Sequence, residues 1–295
     1  MRVFTRGDMD GMTSVILLSL AENITDIAFV HPKDMQDGKI PVTGSDIITN
    51  LPYVKGCALW FDHHSSEDTG SPAASAFKGS FAIAPSAARV IHDYYKRPEF
   101  EKYNNLLTAT DRLDSASLTL EDVASPSGWI LLGLTLDPRS GLGAGFREYF
   151  KHVVDYVKEM PLEKVLEQPE VKTRCERILK EQDDFKKVLL QHSRQEKNVI
   201  ITDLRGVKDI PAGNRFLVYT LYPGANVEAR IFPGALGNTV VAVGHSIFNR
   251  TCKTNLGKLM AEYGGGGHEG AATCQIPNNE ADTKIAEIIR RLQEN

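Results

Sequence analysis

Apolar residues along the chain keep two rhythms. Up to about residue 156, short β-prone runs alternate with longer amphipathic ones. Residues 1–5, DIAFVH at 26–31 and CALWF at 57–61 read as strands. GMTSVILLSLAE at 11–22 reads as a helix buried on one side, and PSAARVIHDYYK as another, with Pro85 at its start and Ser86 in its first turn. Strands alternating with helices predict an α/β domain built on a doubly wound, mostly parallel sheet. In such sheets ligands gather at the carboxyl ends of the strands. From 157 to 197 the chain becomes charge-rich, and Val171, Ile178, Phe185 and Leu189 recur at helical spacing. This reads as a helical linker; the alternative, a last helical layer of the first domain, stays open. Beyond it, VIITDL, RFLVYTLY, VEARIF and NTVVAVGHSIF read as strands and NLGKLMAEY as a helix. GGGGHEG, a strand at AATCQI and a final helix over EADTKIAEIIRRLQ follow. The predicted organisation is an α/β domain over 1–156, a helical linker over 157–197 and a smaller α/β domain over 198–295.

Polar clusters fall where the predicted strands end. GDMDG at 7–11 sets Asp8 and Asp10 two residues apart between Gly7 and Gly11. Carboxylate oxygens suit hard divalent cations such as Mn²⁺ and Mg²⁺. The bland reading is a loop in which one aspartate caps the next helix. Asp62-His63-His64 follows the apolar run CALWF directly. Neighbouring side chains point apart, so one histidine can bind metal while the other faces substrate, with Asp62 orienting its neighbours; a surface histidine pair is the alternative. Asp46 and Asp111 are ordinary turn or cap residues when taken singly. As a set, Asp8, Asp10, Asp46, His63 and Asp111 supply enough donors for one divalent ion or a bridged pair, which activates water and clamps the oxygens of a displacement at phosphorus. In the C-terminal part, Gly265, Gly266 and Gly267 expose backbone amides suited to an anion, beside His268, and Arg250 is the best candidate for a bidentate phosphate grip. A flexible linker is the alternative for the glycines.

Composition narrows this. A formal charge of -4 over 295 residues argues against a general nucleic-acid coat, though not against a local anion pocket. Cys57, Cys175, Cys252 and Cys274 form no CxxC pair, which suggests free thiols in a reducing compartment. The acidic start lacks a signal peptide's apolar run, and no span long enough for a membrane appears. The expected location is the cytoplasm, with no membrane partner.

GDMDG, FDHH at 61–64, PSAARVI and GGGGHEGAA, in that order, resemble the DHH phosphoesterases with a DHH-associated C-terminal domain, and most nearly the bacterial members labelled exopolyphosphatase-related. The resemblance implies a metal-dependent phosphoesterase. Its substrate would be a nucleotide, a short single-stranded oligonucleotide or polyphosphate, with a phosphodiester, phosphomonoester or phosphoanhydride bond cut. It implies Mn²⁺, or Mg²⁺, on Asp8, Asp10, Asp46, His63 and Asp111, with Asp46 bridging two ions. Asp62 and His64 would be catalytic, His64 facing the phosphate, and Arg250, Gly265, Gly266, Gly267 and His268 would hold substrate. A homodimer is compatible with it. One departure stands out: relatives carry a histidine where this chain has Arg6, which cannot ligate a metal. His31, ending the next predicted strand, offers a substitute nitrogen, although a lone histidine is usually structural. The rival reading is a nucleotide-binding regulatory protein whose catalysis is weakened or lost because of Arg6.

Overall fold

The computed structural model describes residues 1–64, 77–136 and 143–294. The chain divides into two compact units, residues 1–117 with 126–176, and residues 118–125 with 177–295. Each is described by itself.

In the first unit the chain runs β1 (Arg2–Thr5), α1 (Met9–Ala21), β2 (Asp26–Phe29), α2 (Pro32–Gln36), β3 (Asp46–Thr49), β4 (Leu59–Asp62), β5 (Gly79–Phe81), α3 (Ala87–Tyr95) and α4 (Asn104–Asp114). After α5 (Leu120–Ala124), which belongs to the second unit, come α6 (Gly128–Leu134), α7 (Ala144–Glu159), α8 (Leu162–Leu166) and α9 (Pro169–His192), the division falling inside α9. All five strands are parallel, in the order β2-β1-β3-β4-β5. This is the doubly wound order, and its switch point lies between β1 and β3. Residues Met9 to Leu18 of α1 are all buried, because the helix packs against α3, α4 and α7. That is why the run MTSVILLSL is apolar almost all round. Phe4, Ile48 and Trp60 point to the opposite sheet face, where Met35 and Leu51 join them. Phe61, one residue along β4, turns instead to the rings of Tyr94 and Tyr95 on α3.

The second unit continues with β6 (Ser193–Glu196), β7 (Val199–Asp203), α10 (Leu217–Leu221), β8 (Val227–Pro233), β9 (Asn238–His245), α11 (Leu256–Ala261), β10 (Gly266–His268), β11 (Ala271–Pro277) and α12 (Asn278–Leu292). Its sheet is mixed, in the order β10-β11-β9-β8-β7-β6, with only β7 and β8 parallel. Val227, Ala229, Ile231, Val241 and Val243 meet Leu259 and Met260 of α11 and Ile285 and Ile288 of α12 in one core.

Three expectations are corrected. RFLVYTLY is not a strand: residues 217–221 are helical, and in the turn before them the Asn214 side chain accepts from the Phe216 amide at 2.9 Å. Residues 193–196, assigned to the helical linker, form β6, an antiparallel partner of β7. A strand not foreseen, β3, occupies 46–49 with every residue buried. All four cysteines are free thiols. Among the described residues no helix is long and apolar enough to cross a membrane.

Candidate metal centre

The site is built at the carboxyl ends of β1, β3 and β4. Asp10 stands in the first turn of α1 and is 2% exposed. Its Oδ2 accepts from the Ala87 amide at 2.9 Å and its Oδ1 from the Ala88 amide at 2.8 Å. These are first-turn amides of α3, which lack partners within their own helix and favour negative charge. Burial nonetheless pushes the Asp10 carboxyl well above the carboxylate range, with the Asp114 carboxylate adding to the rise and His63 opposing it.

His63 leaves β4 with Nδ1 3.0 Å from the Ala84 carbonyl oxygen. A carbonyl only accepts, so Nδ1 carries the hydrogen and Nε2 is the nitrogen left to bind a cation. Nε2 lies 3.0 Å from Asp114 Oδ2 and 3.7 Å from Asp10 Oδ2. In the neutral ring three lone pairs then face one another, which is repulsive unless a proton or a cation sits among them. Burial works against a charged ring, but Asp114 and Asp10 outweigh it and raise His63 to about 9. His63 Nε2, Asp62 Oδ2 and Asn50 Oδ1 are among the buried side-chain atoms of the described residues that make no well-aligned hydrogen bond. Buried polar atoms are rarely left so. The donor set Asp10–His63–Asp114 therefore fits a divalent cation, and the Asp62–His63–His64 group adjoins it through His63. Asp62 is buried, and its Oδ1 accepts from His64 Nδ1 at 2.7 Å, while the His64 side chain is 36% exposed.

Asp8 is already engaged. It caps α1, with Oδ1 accepting from the Gly11 amide at 2.9 Å and from Asn50 Nδ2 at 3.0 Å. Arg6 Nε stands 3.1 Å from its Oδ2. Burial raises the Asp8 carboxyl and Arg6 pulls it back. Gly11 is required here, since a Cβ would lie 2.1 Å from the Arg6 carbonyl oxygen. Asn50, fully buried at the end of β3, adopts a left-handed backbone (φ 57°), which asparagine tolerates better than most residues.

Two expected ligands stand elsewhere. Asp46 begins β3 rather than ending it, opposite Arg2 at the entering end of β1. Arg2 donates from Nε and Nη2 to its two oxygens, both at 3.0 Å, and Thr43 donates from its amide at 2.7 Å and hydroxyl at 2.9 Å. Although burial opposes ionisation, Arg2 and Thr43 hold Asp46 below the usual carboxylate range. It anchors the N-terminal end of the central strand β3 to β1, at the opposite end from the Asp10 cluster. Asp111 is paired with Arg89, Nε to Oδ2 at 2.9 Å, and accepts from Ser86 Oγ at 2.6 Å, steadying the residue that caps α3. Its neighbour Asp114, three residues on, is the one that reaches His63. Sequence reasoning missed Asp114 and Asn50; His31 caps α2 and stays outside the cluster.

In the second unit the glycine run is not an open loop. Residues 266–268 form edge strand β10, and a Cβ on Gly265 or Gly267 would come within 2.1 Å of Thr273 O or 2.5 Å of Ala271 O. These glycines allow close approach to β11. His268 and Arg250 are both exposed, and Arg250 Nε donates to the Ile247 carbonyl at 3.1 Å.

No family model and no curated protein matches the chain. Among solved structures it is similar to the pGpG-specific phosphodiesterase PggH of Vibrio cholerae, at 39% identity and a TM-score of 0.90, covering 99% of each chain. The DHH domain of a member of the s1p family of ribosomal proteins aligns at 13% identity with a TM-score of 0.53, over 99% of this chain and 86% of that one. RecJ from Thermus thermophilus in complex with Mn²⁺ aligns at 15% identity with a TM-score of 0.50, over 100% of this chain and 52% of its own. The last two likenesses are of fold.

Proposed function

This chain belongs to the DHH family of phosphoesterases, and from that premise we propose that it hydrolyses the phosphodiester of a short linear dinucleotide of the pGpG kind. The observation that carries the reading is His63 Nε2, set between the Asp114 and Asp10 carboxylates at 3.0 and 3.7 Å, in a chain of 39% identity to PggH. Asp10, His63 and Asp114 would hold the divalent ion, Mn²⁺ or Mg²⁺. Such an ion supplies a water of lowered pKa and neutralises charge on the phosphate oxygens.

The chain's own residues do the rest. The α3 amides fix the Asp10 oxygens, and the Ala84 carbonyl fixes the His63 tautomer. Asp62 holds His64 by Nδ1, which leaves Nε2 to exchange a proton at the phosphate. In the net reaction the water oxygen bonds to phosphorus, the P–O3′ bond breaks, and the leaving 3′ oxygen takes a proton. Arg250 and His268 are the candidates in the second unit for holding phosphate. The free thiols suit a reducing, cytoplasmic setting. The regulatory reading is not favoured, because Arg6 engages Asp8 alone and leaves the other donors intact.

Purified protein incubated with pGpG, pApA, a longer single-stranded oligonucleotide, adenosine 3′,5′-bisphosphate and polyphosphate, each with Mn²⁺ or Mg²⁺, tests this. Release of GMP from pGpG is expected to be fastest. Turnover confined to polyphosphate or to the terminal phosphate of the bisphosphate would overturn the reading.

A further inference from the structure

Asp8 lies at the same strand ends as the Asp10 centre, so an acidic side chain there invites a second ion. The contacts argue otherwise. Its Oδ1 already accepts two hydrogen bonds, from the Gly11 amide and from Asn50 Nδ2, and its Oδ2 faces Arg6 Nε at 3.1 Å. A carboxylate offers about four lone-pair sites, and three are taken by groups the fold does not release. The Gly11 amide is fixed in α1, Asn50 is fully buried, and Arg6 carries a permanent positive charge. A divalent ion on Asp8 would have to sit against that guanidinium.

Arg6 itself is only partly covered, its side chain being 33% exposed. Asp8 is its ion-pair partner, reached through Nε. A guanidinium carries five N–H donors in a planar fork, more than one carboxylate oxygen uses, and that fork is suited to the non-bridging oxygens of a phosphate. Asn50 adds a second sign of an unfilled site: its Oδ1 is buried and has no hydrogen-bond partner. It is an acceptor for a hydroxyl or water brought in with the substrate.

We infer that Arg6, held by Asp8 and with Asn50 beside it, replaces a second metal ion as the fixed cation of this site. The chain then takes one divalent ion, on the Asp10–His63–Asp114 side, and Arg6 binds the phosphate directly. This rests on the phosphodiesterase reading for its substrate but not for its ion count.

Mn²⁺ titration of the full chain, followed by electron paramagnetic resonance and by metal analysis after desalting, should give one ion per chain and no spin-coupled pair. The double variant Arg6→His/Asn50→Asp should bind a second Mn²⁺ and show the coupled signal. Binding of pGpG in EDTA, where hydrolysis is off, should weaken about tenfold or more in Arg6→Gln and by less in Arg6→Lys, which keeps the charge and loses the fork. Circular dichroism on each variant separates this from unfolding; should Arg6→Gln unfold, the EDTA comparison of Arg6→Lys with Arg6→His carries the test, and equal binding by the two counts against the inference. Two coupled Mn²⁺ ions in the wild type, or unchanged pGpG binding in folded Arg6→Gln, would overturn it. Wild type that binds one ion and releases no GMP would sink the proposed function and leave the ion count standing. Two ions with full turnover would do the reverse.

Discussion

Replacing Asp46 separates a ligand from an anchor. Four hydrogen bonds converge on its carboxylate, two from Arg2 at 3.0 Å and two from Thr43 at 2.7 and 2.9 Å. A hydrogen bond to a charged group contributes about 1.5–3 kcal/mol when lost singly. The four do not add, because they share one acceptor group. Nor are the abandoned donors stranded, since the Arg2 side chain is 36% exposed and Thr43 lies at the surface. Asp46→Ala should therefore cost about 2–3 kcal/mol, lowering the melting temperature by about 4–12 °C in a domain of this size. Asp46→Asn keeps an acceptor for Thr43 and loses the charge facing Arg2, so it should fall between. Mn²⁺ affinity and turnover, measured well below the melting transition, should stay at the wild-type level in both. Thermal unfolding by circular dichroism and Mn²⁺ titration decide the matter. A variant that melts like wild type yet no longer binds Mn²⁺ would refute the reasoning and return Asp46 to the site.

Other outcomes follow from neighbouring contacts. Asp114→Asn should weaken Mn²⁺ binding at least about tenfold, whereas Asp111→Asn should leave the ion count unchanged and lower the melting temperature by loosening Ser86 and Arg89; metal analysis and thermal melts on both check this. Gly11→Ala places a Cβ 2.1 Å from the Arg6 carbonyl, and overpacking of that kind should cost about 3 kcal/mol or more in urea unfolding. The folded-state pKa of Asp46 is depressed. Its stabilisation is therefore full above the unfolded value of about 3.9 and is lost as pH falls through the lower folded value. The stability gap between wild type and Asp46→Asn should accordingly be wide at neutral pH and close in strong acid, as measured by urea unfolding across that range.

Much of the architecture could be read from pattern. β1, β4, α1 and α3 announced themselves by apolar runs followed by turn or capping residues, and the triplet Asp62-His63-His64 stood out because polar groups seldom follow a buried strand so abruptly. The failures have physical causes. β3 is four residues long and buried on both faces, so it shows no alternation. Once it goes unrecognised, Asp46 loses its direction: four residues at a rise of about 3.3 Å put it about 13 Å from the strand's exit. Asn50, which occupies that exit, escaped notice because an amide is not an expected metal donor. Asp111 and Asp114 lie three apart on one helix and share a side; only Arg89, arriving from α3, shows which is spoken for. In RFLVYTLY a dense apolar run fits strand and short helix alike.

The Arg2–Asp46 pair clamps the start of β3 to β1, while Arg6 and Asn50 hang from the finish of the same two strands. Foundation and chemistry are thus written at opposite ends of one pair of threads, with a fully buried stretch between them. Exchanges at the finishing ends, arginine for histidine or asparagine for aspartate, leave the clamp untouched. The charge presented at the strand tips can therefore be altered by substitution there while the clamp that holds the two strands together stays in place.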